Sequence, residues 1–429
     1  MPKKAQRRKL LLALCLSATA VLACASFGST QGPTSTAPMP ATPSPQAPPA
    51  TQTASVAVAS AEPFSYILAG YYPGWGAGHY PVADIPADQL THVFYAFANV
   101  SAGGECISED PKQDDANWPA LQTLKQQHPR LRVLISVGGW SQSGLFSDVA
   151  ATPEARAHFA ESCAAFVKAH GFDGLDVDWE FPVSGGLPTN HYRPDDGHNF
   201  TLLLAELRRA LDAQGPADAG SSRYLLTIAA PAGPTEYGHL ELGLIHSYLD
   251  WINLMTYDFN TADSPTTNFN APLFASASDP TPQARRQSRN ADAAVRAYLA
   301  AGVPARKLVL GTTFYGRGWR GVPATNDGFY QPDTGPAKGT FADDGVFSYA
   351  DLESNYLPSY TRHFQAEAKE PWLYNPATQI FISYEDPESL GYKANYAVAQ
   401  GLGGMMFWEL SLDDAQHSLV NALHGRLVP

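Results

Sequence analysis

The sequence predicts an α/β fold, a (β/α)8 TIM barrel that carries a small α+β insertion domain between its seventh and eighth strands. Three observations lead to this prediction. After residue 62, short β-branched and aromatic runs alternate with helical stretches, which is typical of a parallel sheet with crossover helices. Eight such runs occur. The segment 63–429 is also longer than the roughly 250 residues that a bare barrel needs, which indicates insertions.

The strand candidates share high β propensity, and they are Tyr66–Tyr72, His92–Val100, Arg132–Val137, Gly174–Trp179, Tyr224–Ala230, Trp251–Met255, Lys307–Phe314 and Gly404–Trp408. Helical stretches lie between them, such as Pro153–His170, Asn199–Gln214 and Asn290–Ala301. The last is followed by Gly302 and Pro304, which commonly end a helix. The largest gap between strands contains residues 319–388, and its short aromatic runs predict the insertion domain.

The first 62 residues are predicted to lie outside the barrel. A basic start up to Lys9 and a mostly apolar run from Leu10 to Cys24 are typical of an export signal, here residues 1–25. Val21–Cys24 resembles a bacterial lipobox, in which Cys24 would become lipidated, but Ala23–Ala25 also suits ordinary signal peptidase. Secretion and lipid anchoring at the cell envelope therefore both stay open. Residues 26–62 are rich in Pro, Ser, Thr and Ala, which predicts a linker.

Charge and composition disfavour several classes of partner. The 28 basic and 41 acidic residues give a net charge of −13, which argues against nucleic acid and anionic membranes. No Gly-rich phosphate loop is present, so no nucleotide cofactor is predicted. His191 and His198 lie in a polar loop whose spacing fits no compact set of metal ligands. We expect a monomer without metal or cofactor, and whether Cys106 pairs with Cys163 cannot be read from the sequence.

The most informative stretch runs from Gly171 to Glu180, where acidic residues interrupt a buried strand at alternate positions. Residues two apart on a strand share a face, so Asp176, Asp178 and Glu180 are expected to point together into the barrel. Glu180 comes last, at the carboxyl end of the strand, where barrel enzymes have their active sites. A solvated edge strand is the alternative, but the apolar residues between the acids indicate a strand covered by helices.

Three neighbouring carboxylates cannot all stay ionised, so at least one pKa should rise toward neutrality, as a general acid requires. Glu180, at the rim, is the natural proton donor to a leaving-group oxygen. Retaining hydrolysis of a glycoside normally needs a second carboxylate across the sugar, about 5 Å from the acid. These three acids approach from one strand and one side. A 2-acetamido group on the substrate could supply the missing nucleophile by forming an oxazolinium ion.

In this acidic stretch and in several other motifs, the chain resembles glycoside hydrolase family 18, the chitinase family. The family signature Asp-x-x-Asp-x-Asp-x-Glu is met by Asp173, Asp176, Asp178 and Glu180. The other motifs of the family follow in the expected order over the whole body, and they are Ser136-Val137-Gly138-Gly139 with Trp140, Met255-Thr256-Tyr257-Asp258, Phe314-Tyr315-Gly316-Arg317-Gly318-Trp319 and Gly403-Gly404-Met405-Met406-Phe407-Trp408-Glu409.

The resemblance implies a role for each matching residue. Glu180 would protonate the glycosidic oxygen, while Asp178 would turn from Asp176 toward the substrate and stabilise its acetamido group. Tyr257 would hold the acetamido carbonyl.

Two further residues, Ser136 and Asp173, would lie beneath Asp176 and tune its charge. The residues that the resemblance places against the sugar rings are Tyr71, Phe97, Gly139, Trp140, Phe181, Met255, Asp258, Tyr315, Arg317 and Trp408.

The implied activity is hydrolysis of β-1,4-linked N-acetylglucosamine polymers and oligomers with retention of configuration. The insertion resembles that of chitinases with deep clefts. After Asp258 the chain lacks the tryptophan that many relatives have, which bears on the leaving-group subsites. An endo-β-N-acetylglucosaminidase or a cell-wall glycan hydrolase would use the same acid and the same assistance. A non-catalytic lectin of this fold would be expected to lack the acid, whereas Glu180 and Asp178 are both present.

Overall fold

The computed structural model describes residues 66–215, 223–340 and 345–428. Within these ranges the strands are β1 (Ile67–Pro73), β2 (His92–Val100), β3 (Cys106–Ser108), β4 (Arg132–Gly138), β5 (Gly174–Asp178), β6 (Leu225–Pro231), β7 (Trp251–Met255), β8 (Leu308–Thr313), β9 (Tyr315–Arg320), β10 (Val346–Ser348), β11 (Thr361–Gln365), β12 (Glu370–Asn375), β13 (Ile380–Ser383) and β14 (Gly404–Trp408). The predicted export signal and linker, residues 1–62, lie outside the described residues.

Eight of these strands form a closed parallel barrel, which confirms the predicted fold. Neighbouring strands follow the order β1-β14-β8-β7-β6-β5-β4-β2, and β1 pairs with β2 to close the ring. The short β3 pairs antiparallel with β2. Each predicted barrel strand is present, and its ends differ from the prediction by one residue at most. Runs of β-branched and aromatic residues bounded by turns therefore located the barrel strands well.

Side chains of the barrel strands alternate between two apolar cores. On β1, Leu68 and Tyr72 pack outward against the helices, whereas Ala69 and Tyr71 point into the barrel. This alternation follows from the two-residue period of a strand. Other apolar members of the interior core are Phe94, Leu134, Trp251, Val309 and Met406. Polar side chains on the same inward faces consequently share one enclosed space.

The helices of the described ranges are α1 (Pro111–Gln127), α2 (Phe146–Ala151), α3 (Pro153–His170), α4 (Asp196–Ala213), α5 (Pro234–Tyr237), α6 (Leu242–Ile245), α7 (Gln283–Ser288), α8 (Ala291–Ala300), α9 (Tyr349–Asp351), α10 (Pro387–Ala399) and α11 (Ser418–Leu427). In this part of the chain, no helix combines the length and the apolar character that crossing a membrane requires.

Capping residues explain where the predicted helices begin and end. Helix α3 has the predicted bounds because the Thr152 hydroxyl caps its first turn and Gly171, with a φ of 71°, ends it. Helix α4 begins at Asp196, earlier than the predicted Asn199. The Asp196 carboxylate accepts the backbone N–H of Arg193 at 2.7 Å, which fixes the turn that leads into the helix.

The insertion between β8 and β14 is a second, antiparallel sheet with the strand order β10-β9-β13-β12-β11. Its first strand begins at Tyr315, before the predicted start of the insertion at about Trp319, because only Phe314 separates β8 from β9. The chain thus passes from the barrel into the insertion at the carboxyl end of β8. Tyr315 and Arg317 of β9 and Val346 of β10 line the cleft described below.

A buried charge cluster lies where the insertion sheet meets α10. Lys393 of α10 is fully buried, forms an ion pair with Glu385 and donates a hydrogen bond to the Ala271 carbonyl. Glu370 of β12 is also fully buried, and its carboxylate accepts the Ser383 hydroxyl at 2.6 Å. Burial raises the pKa of Glu370 to about 7 and lowers that of Lys393 to about 8, while each charge partly offsets the shift of the other.

Cys106 of β3 and Cys163 of α3 form a disulfide. The pairing that the sequence left open is therefore assigned. Their positions are 57 residues apart in the chain, so the bond closes a long loop that contains α1, β4 and α2.

Candidate active site

The carboxyl ends of the barrel strands surround an open cleft with a volume of about 1060 Å³. Asp178 and Glu180 lie in it together with aromatic side chains from several strands and with β9 and β10 of the insertion. A cleft of this size can hold several sugar rings. The geometry that matters for chemistry is that of the acidic run on β5 and of the residues that face it.

Asp176 is fully buried inside the barrel and is surrounded by hydrogen-bond donors. Its carboxylate accepts the hydroxyls of Tyr71 at 2.9 Å, Ser136 at 2.8 Å and Thr227 at 2.5 Å, and the side-chain N–H of Asn253 at 3.3 Å. Burial raises the pKa of Asp176, but each of these hydrogen bonds lowers it. Burial outweighs these four donors, so the pKa of Asp176 is raised overall, while the donors fix the orientation of its carboxylate.

Asp178 lies two residues after Asp176 on the same inward face of β5, and it is buried, with 4% of its surface exposed. Among the described residues, its Oδ1 atom has no hydrogen-bond partner. Burial, followed by the charges of Glu180 and Asp176, raises the pKa of Asp178 well above its usual range. The raised pKa favours the protonated form of Asp178, and its Oδ1 is an unsatisfied oxygen that a ligand can bind.

Glu180 is partly exposed to the cleft, just beyond the carboxyl end of β5. Burial and then the charge of Asp258 raise its pKa to about 8. Its backbone is held on both sides, since its N–H donates to the Ser143 hydroxyl at 2.8 Å and its carbonyl accepts the Asn190 side chain at 2.9 Å. A carboxylic acid that is protonated at neutral pH and faces a cleft can act as a general acid.

Asp258 faces Glu180 from the end of β7, where its backbone has a left-handed φ of 55°. Its two carboxylate oxygens accept the guanidinium of Arg317 at 2.9 Å each, and the Tyr315 hydroxyl donates to it at 2.9 Å. These contacts raise the pKa of Arg317 although burial opposes the rise. Asp258 is therefore a carboxylate held in place by an ion pair and a hydrogen bond rather than a free nucleophile.

Aromatic side chains form the floor of the cleft around Trp408. Its ring centroid lies 5.7 Å from that of Phe97, nearly parallel at 18°, and 5.4 Å from that of Tyr71. Trp75 lies 6.3 Å from Trp408 and is 58% exposed, and Trp140 is 51% exposed. Exposed aromatic faces of this kind suit the apolar C–H faces of sugar rings.

Most residues that the family resemblance placed against the sugars do line this cleft. They are Tyr71, Phe97, Trp140, Phe181, Met255, Asp258, Tyr315, Arg317 and Trp408, together with Tyr257 from the catalytic set. Burial raises the pKa of Tyr257 well above its usual range, so its hydroxyl stays a donor.

Gly139 differs from the expectation, because Gly138 rather than Gly139 belongs to the cleft lining. A Cβ atom on Gly139 would lie 2.6 Å from the Phe97 ring. Gly139 therefore acts on the cleft indirectly, by leaving room for Phe97.

Asp173 also differs from the expectation, because its contacts with Val133 and Lys125 are at the amino end of β5, away from Asp176. Its carboxylate accepts the Val133 N–H at 2.7 Å and forms an ion pair with Lys125 of α1 at 2.9 Å. The position before the strand explains this, since it precedes the segment whose alternate residues face the interior. Asp173 therefore anchors α1 to the barrel and does not tune Asp176 by contact.

Sequence reasoning missed Thr227, Asn253, Ser143, Asn190 and Trp75. Thr227 and Asn253 could have been found, because each is a polar residue at an inward position of an otherwise apolar strand. Ser143, Asn190 and Trp75 lie in loops, where no periodicity indicates which way a side chain points.

The histidine loop contains ordinary polar contacts. His191 contacts Asp148 at 2.6 Å, and His198 contacts Glu241 at 3.2 Å. Within 66–215, 223–340 and 345–428, no group of three or more His, Cys, Asp or Glu side chains could hold a metal ion.

A barrel with a protonated glutamate at the end of β5, an adjacent buried aspartate pair and an aromatic cleft defines a glycoside hydrolase. The family model of Glycosyl hydrolases family 18 matches residues 67–413. The chain belongs to this family.

Two curated relatives and one solved structure illustrate the similarity. Chitinase A1 of Niallia circulans is 42% identical over 414 residues, which cover 85% of this chain and 58% of that protein, so this chain spans little more than half of its length. Endochitinase 1 of Metarhizium robertsii is 36% identical over an alignment that covers 84% of this chain and 85% of that protein. The structure of chitinase ChiA74 from Bacillus thuringiensis has a TM-score of 0.78 at 37% identity, covering 85% of this chain and 70% of that one.

Proposed function

We propose that the protein is a chitinase that hydrolyses β-1,4-linked N-acetylglucosamine polymers and oligomers with retention, using the acetamido group of the substrate as nucleophile. The observation that carries the proposal is the pairing of a protonated Glu180 with a buried, unsatisfied Asp178 on one strand. Asp258, whose charge acts on Glu180, is held by Arg317 and Tyr315, so the proposal does not assign it the role of nucleophile. The names of the relatives agree with this substrate class.

In the first step, Glu180 gives its proton to the glycosidic oxygen, and the bond from that oxygen to the anomeric carbon breaks. The acetamido carbonyl oxygen attacks the same carbon, which forms an oxazolinium ion. Asp178 turns toward the acetamido N–H and accepts it, while the proton it held passes to the carboxylate of Asp176. The Tyr257 hydroxyl donates to the acetamido group and holds it below the ring.

In the second step, the carboxylate of Glu180 takes a proton from water, and the resulting hydroxide oxygen attacks the anomeric carbon. The oxazolinium ring opens and the acetamido group is restored. Two displacements at one carbon leave the configuration unchanged. Each proton returns to its starting carboxyl group, so the site is ready for another turnover.

A fully deacetylated substrate tests the proposed nucleophile. Chitohexaose should be cleaved to shorter oligomers, whereas the matching hexamer of glucosamine should stay intact because an ammonium group cannot attack the anomeric carbon. Products would be followed by chromatography with mass detection. Cleavage of both hexamers at similar rates would contradict acetamido assistance. Cleavage of a high-mannose glycopeptide with chitohexaose untouched would instead indicate an endo-β-N-acetylglucosaminidase.

The activity should depend on pH through Glu180. The first step needs its protonated form, and its pKa is raised to about 8, so kcat/KM should stay level below that pH and fall as the pH rises through about 8. Beyond the pKa the fall should be about tenfold per pH unit, because one proton is lost. Initial rates on chitohexaose across the pH range measure this. If kcat/KM already decreases as the pH rises toward neutrality, the assignment of Glu180 as the acid is contradicted.

Replacement of Asp178 by Asn should lower kcat by about 10²-fold, while KM changes much less, because its hydrogen bond to the acetamido group strengthens in the transition state. Asp173→Asn, at the position just before the same strand, is the matched control. It removes part of the contact with Lys125, so it should lower stability but leave kcat near that of the parent. Equal loss of kcat in both variants would contradict the separate roles given to the two aspartates.

We also propose that the enzyme is exported. The leader-like residues 1–25 and the linker-like residues 26–62 support export, and lipidation of Cys24 remains one of two possible outcomes of processing. The mass of the mature protein from the native host distinguishes them, since a diacylated Cys24 adds two acyl chains to the first residue.

A further inference from the structure

Asn270 is a fully buried residue in the loop after β7, with 1% of its surface exposed, and it holds the backbone of the segment that carries Asp258. Its side-chain oxygen accepts the Asp258 N–H at 3.0 Å. Its backbone carbonyl accepts the N–H of the next residue, Phe259, also at 3.0 Å. Two consecutive N–H groups therefore depend on Asn270, at the point where Asp258 has a left-handed φ of 55°.

On its other side, Asn270 is tied to both the barrel and the insertion. Its backbone N–H donates to the Ser383 hydroxyl of β13 at 2.8 Å, and Ser383 donates in turn to Glu370 of the buried charge cluster at 2.6 Å. Its side-chain N–H contacts the Thr313 hydroxyl of β8 at 3.4 Å. Asn270 thus links the insertion to the loop at the edge of the cleft.

The segment that Asn270 holds carries a charge that acts on Glu180. The charge of Asp258 contributes, after burial, to the raised pKa of Glu180. The titratable and charged groups around Glu180 are Asp178 from its own strand and Tyr257 and Asp258 from the end of β7, with Tyr315 and Arg317 of β9 behind Asp258.

We propose that Asn270 is a positioning residue, which holds the backbone of Asp258 and so keeps its carboxylate, paired with Arg317 and Tyr315, beside Glu180 in the cleft. The proposal rests on the proposed role of Glu180 as the acid. Without the Asn270 acceptor, the Asp258 N–H loses its partner, and the strained backbone at Asp258 can relax away from Glu180. The negative charge then acts on Glu180 from further away, and the acid loses its proton at a lower pH.

The test compares Asn270→Ala with Asn268→Ala. Asn268 is another buried asparagine of the same loop, with 4% of its surface exposed, but its side chain donates a hydrogen bond to Asp279 at 3.0 Å and does not contact Asp258. For Asn270→Ala, the alkaline limb of kcat/KM on chitohexaose should move to lower pH by about half a unit or more. For Asn268→Ala, the limb should coincide with that of the parent. A merely structural role would lower the melting temperature of both variants and move neither limb.

Ser383→Ala provides a second, more distant perturbation. It removes the hydroxyl that anchors the Asn270 N–H, so it should move the alkaline limb in the same direction and by less. If Asn270→Ala does not fold, the pH profile of kcat/KM for Ser383→Ala tests the proposal instead. Folded variants whose alkaline limbs match that of the parent would overturn the proposal.

A measurement that needs no turnover separates this proposal from the proposed function. Carbon-13 NMR of the glutamate carboxyls follows the titration of Glu180, whose signal is identified by its loss in Glu180→Gln. A lower pKa in Asn270→Ala than in the parent and in Asn268→Ala supports the positioning role even if chitohexaose is not cleaved by any of them. An unchanged pKa overturns it even if chitohexaose is cleaved by all of them.

Discussion

Glu180→Gln should fold like the parent and lose nearly all hydrolysis of chitohexaose, with kcat lower by about 10²- to 10⁴-fold. Glutamine keeps the size and shape of the side chain but cannot give a proton to the glycosidic oxygen. The backbone contacts of Glu180 with Ser143 and Asn190 do not involve its carboxyl group, so the strand end should keep its geometry. KM should change little, because the acid acts mainly in the transition state.

Glu206→Gln is the control for this experiment. Glu206 lies on α4, is paired with Arg209 and does not belong to the cleft lining. Its replacement should leave kcat within about twofold of the parent, since surface substitutions change little. Initial rates and far-ultraviolet circular dichroism of the three proteins measure activity and folding separately. A Glu180→Gln enzyme with the rate of the parent would remove Glu180 from the mechanism.

The second large effect concerns stability. Lys393→Met should lower the free energy of unfolding by about 3–5 kcal/mol, because it leaves the carboxylates of Glu385 and Glu370 buried without a cation. Methionine fits the apolar part of the lysine side chain, so the loss reports the charge rather than a cavity. Urea unfolding followed by tryptophan fluorescence measures it.

Lys369→Met is the matched control in the same insertion. Lys369 Nζ lies 4.7 Å from the ring of Tyr392 at the protein surface, and its loss should cost below about 1 kcal/mol. The double variant Lys393→Met with Glu385→Gln should recover part of the loss, since it also removes one unpaired charge. A Lys393→Met protein as stable as Lys369→Met would show that the cluster does not hold the insertion in place.

The barrel and its acidic strand could be predicted because their signals are local. Strand runs such as Trp251–Met255 are bounded by turns, and Thr152 and Gly171 mark the ends of α3 within one sequence window. The positions of Asp176 and Asp178 followed from the two-residue period of β5 alone.

Contacts between distant segments could not be predicted in the same way. The donors to Asp176 include Asn253, which is 77 positions away in the chain, and the N–H of Asn270 meets Ser383 from 113 positions away. Only the closure of the barrel and the docking of the insertion bring these residues together. The family motif placed Asp173 beneath Asp176, whereas its contacts are with Val133 and Lys125, because it precedes the strand.

The anomeric form of the first products tests the central claim most directly. Proton NMR of chitohexaose distinguishes new reducing ends of β and α configuration during the first minutes of hydrolysis, before mutarotation brings the anomers to their equilibrium ratio. Acetamido-assisted hydrolysis with Glu180 as acid predicts β-anomeric products in excess over the equilibrium ratio. Early products of α configuration would mean that water attacks directly from the opposite face, which would contradict both the oxazolinium intermediate and the role given to Asp178.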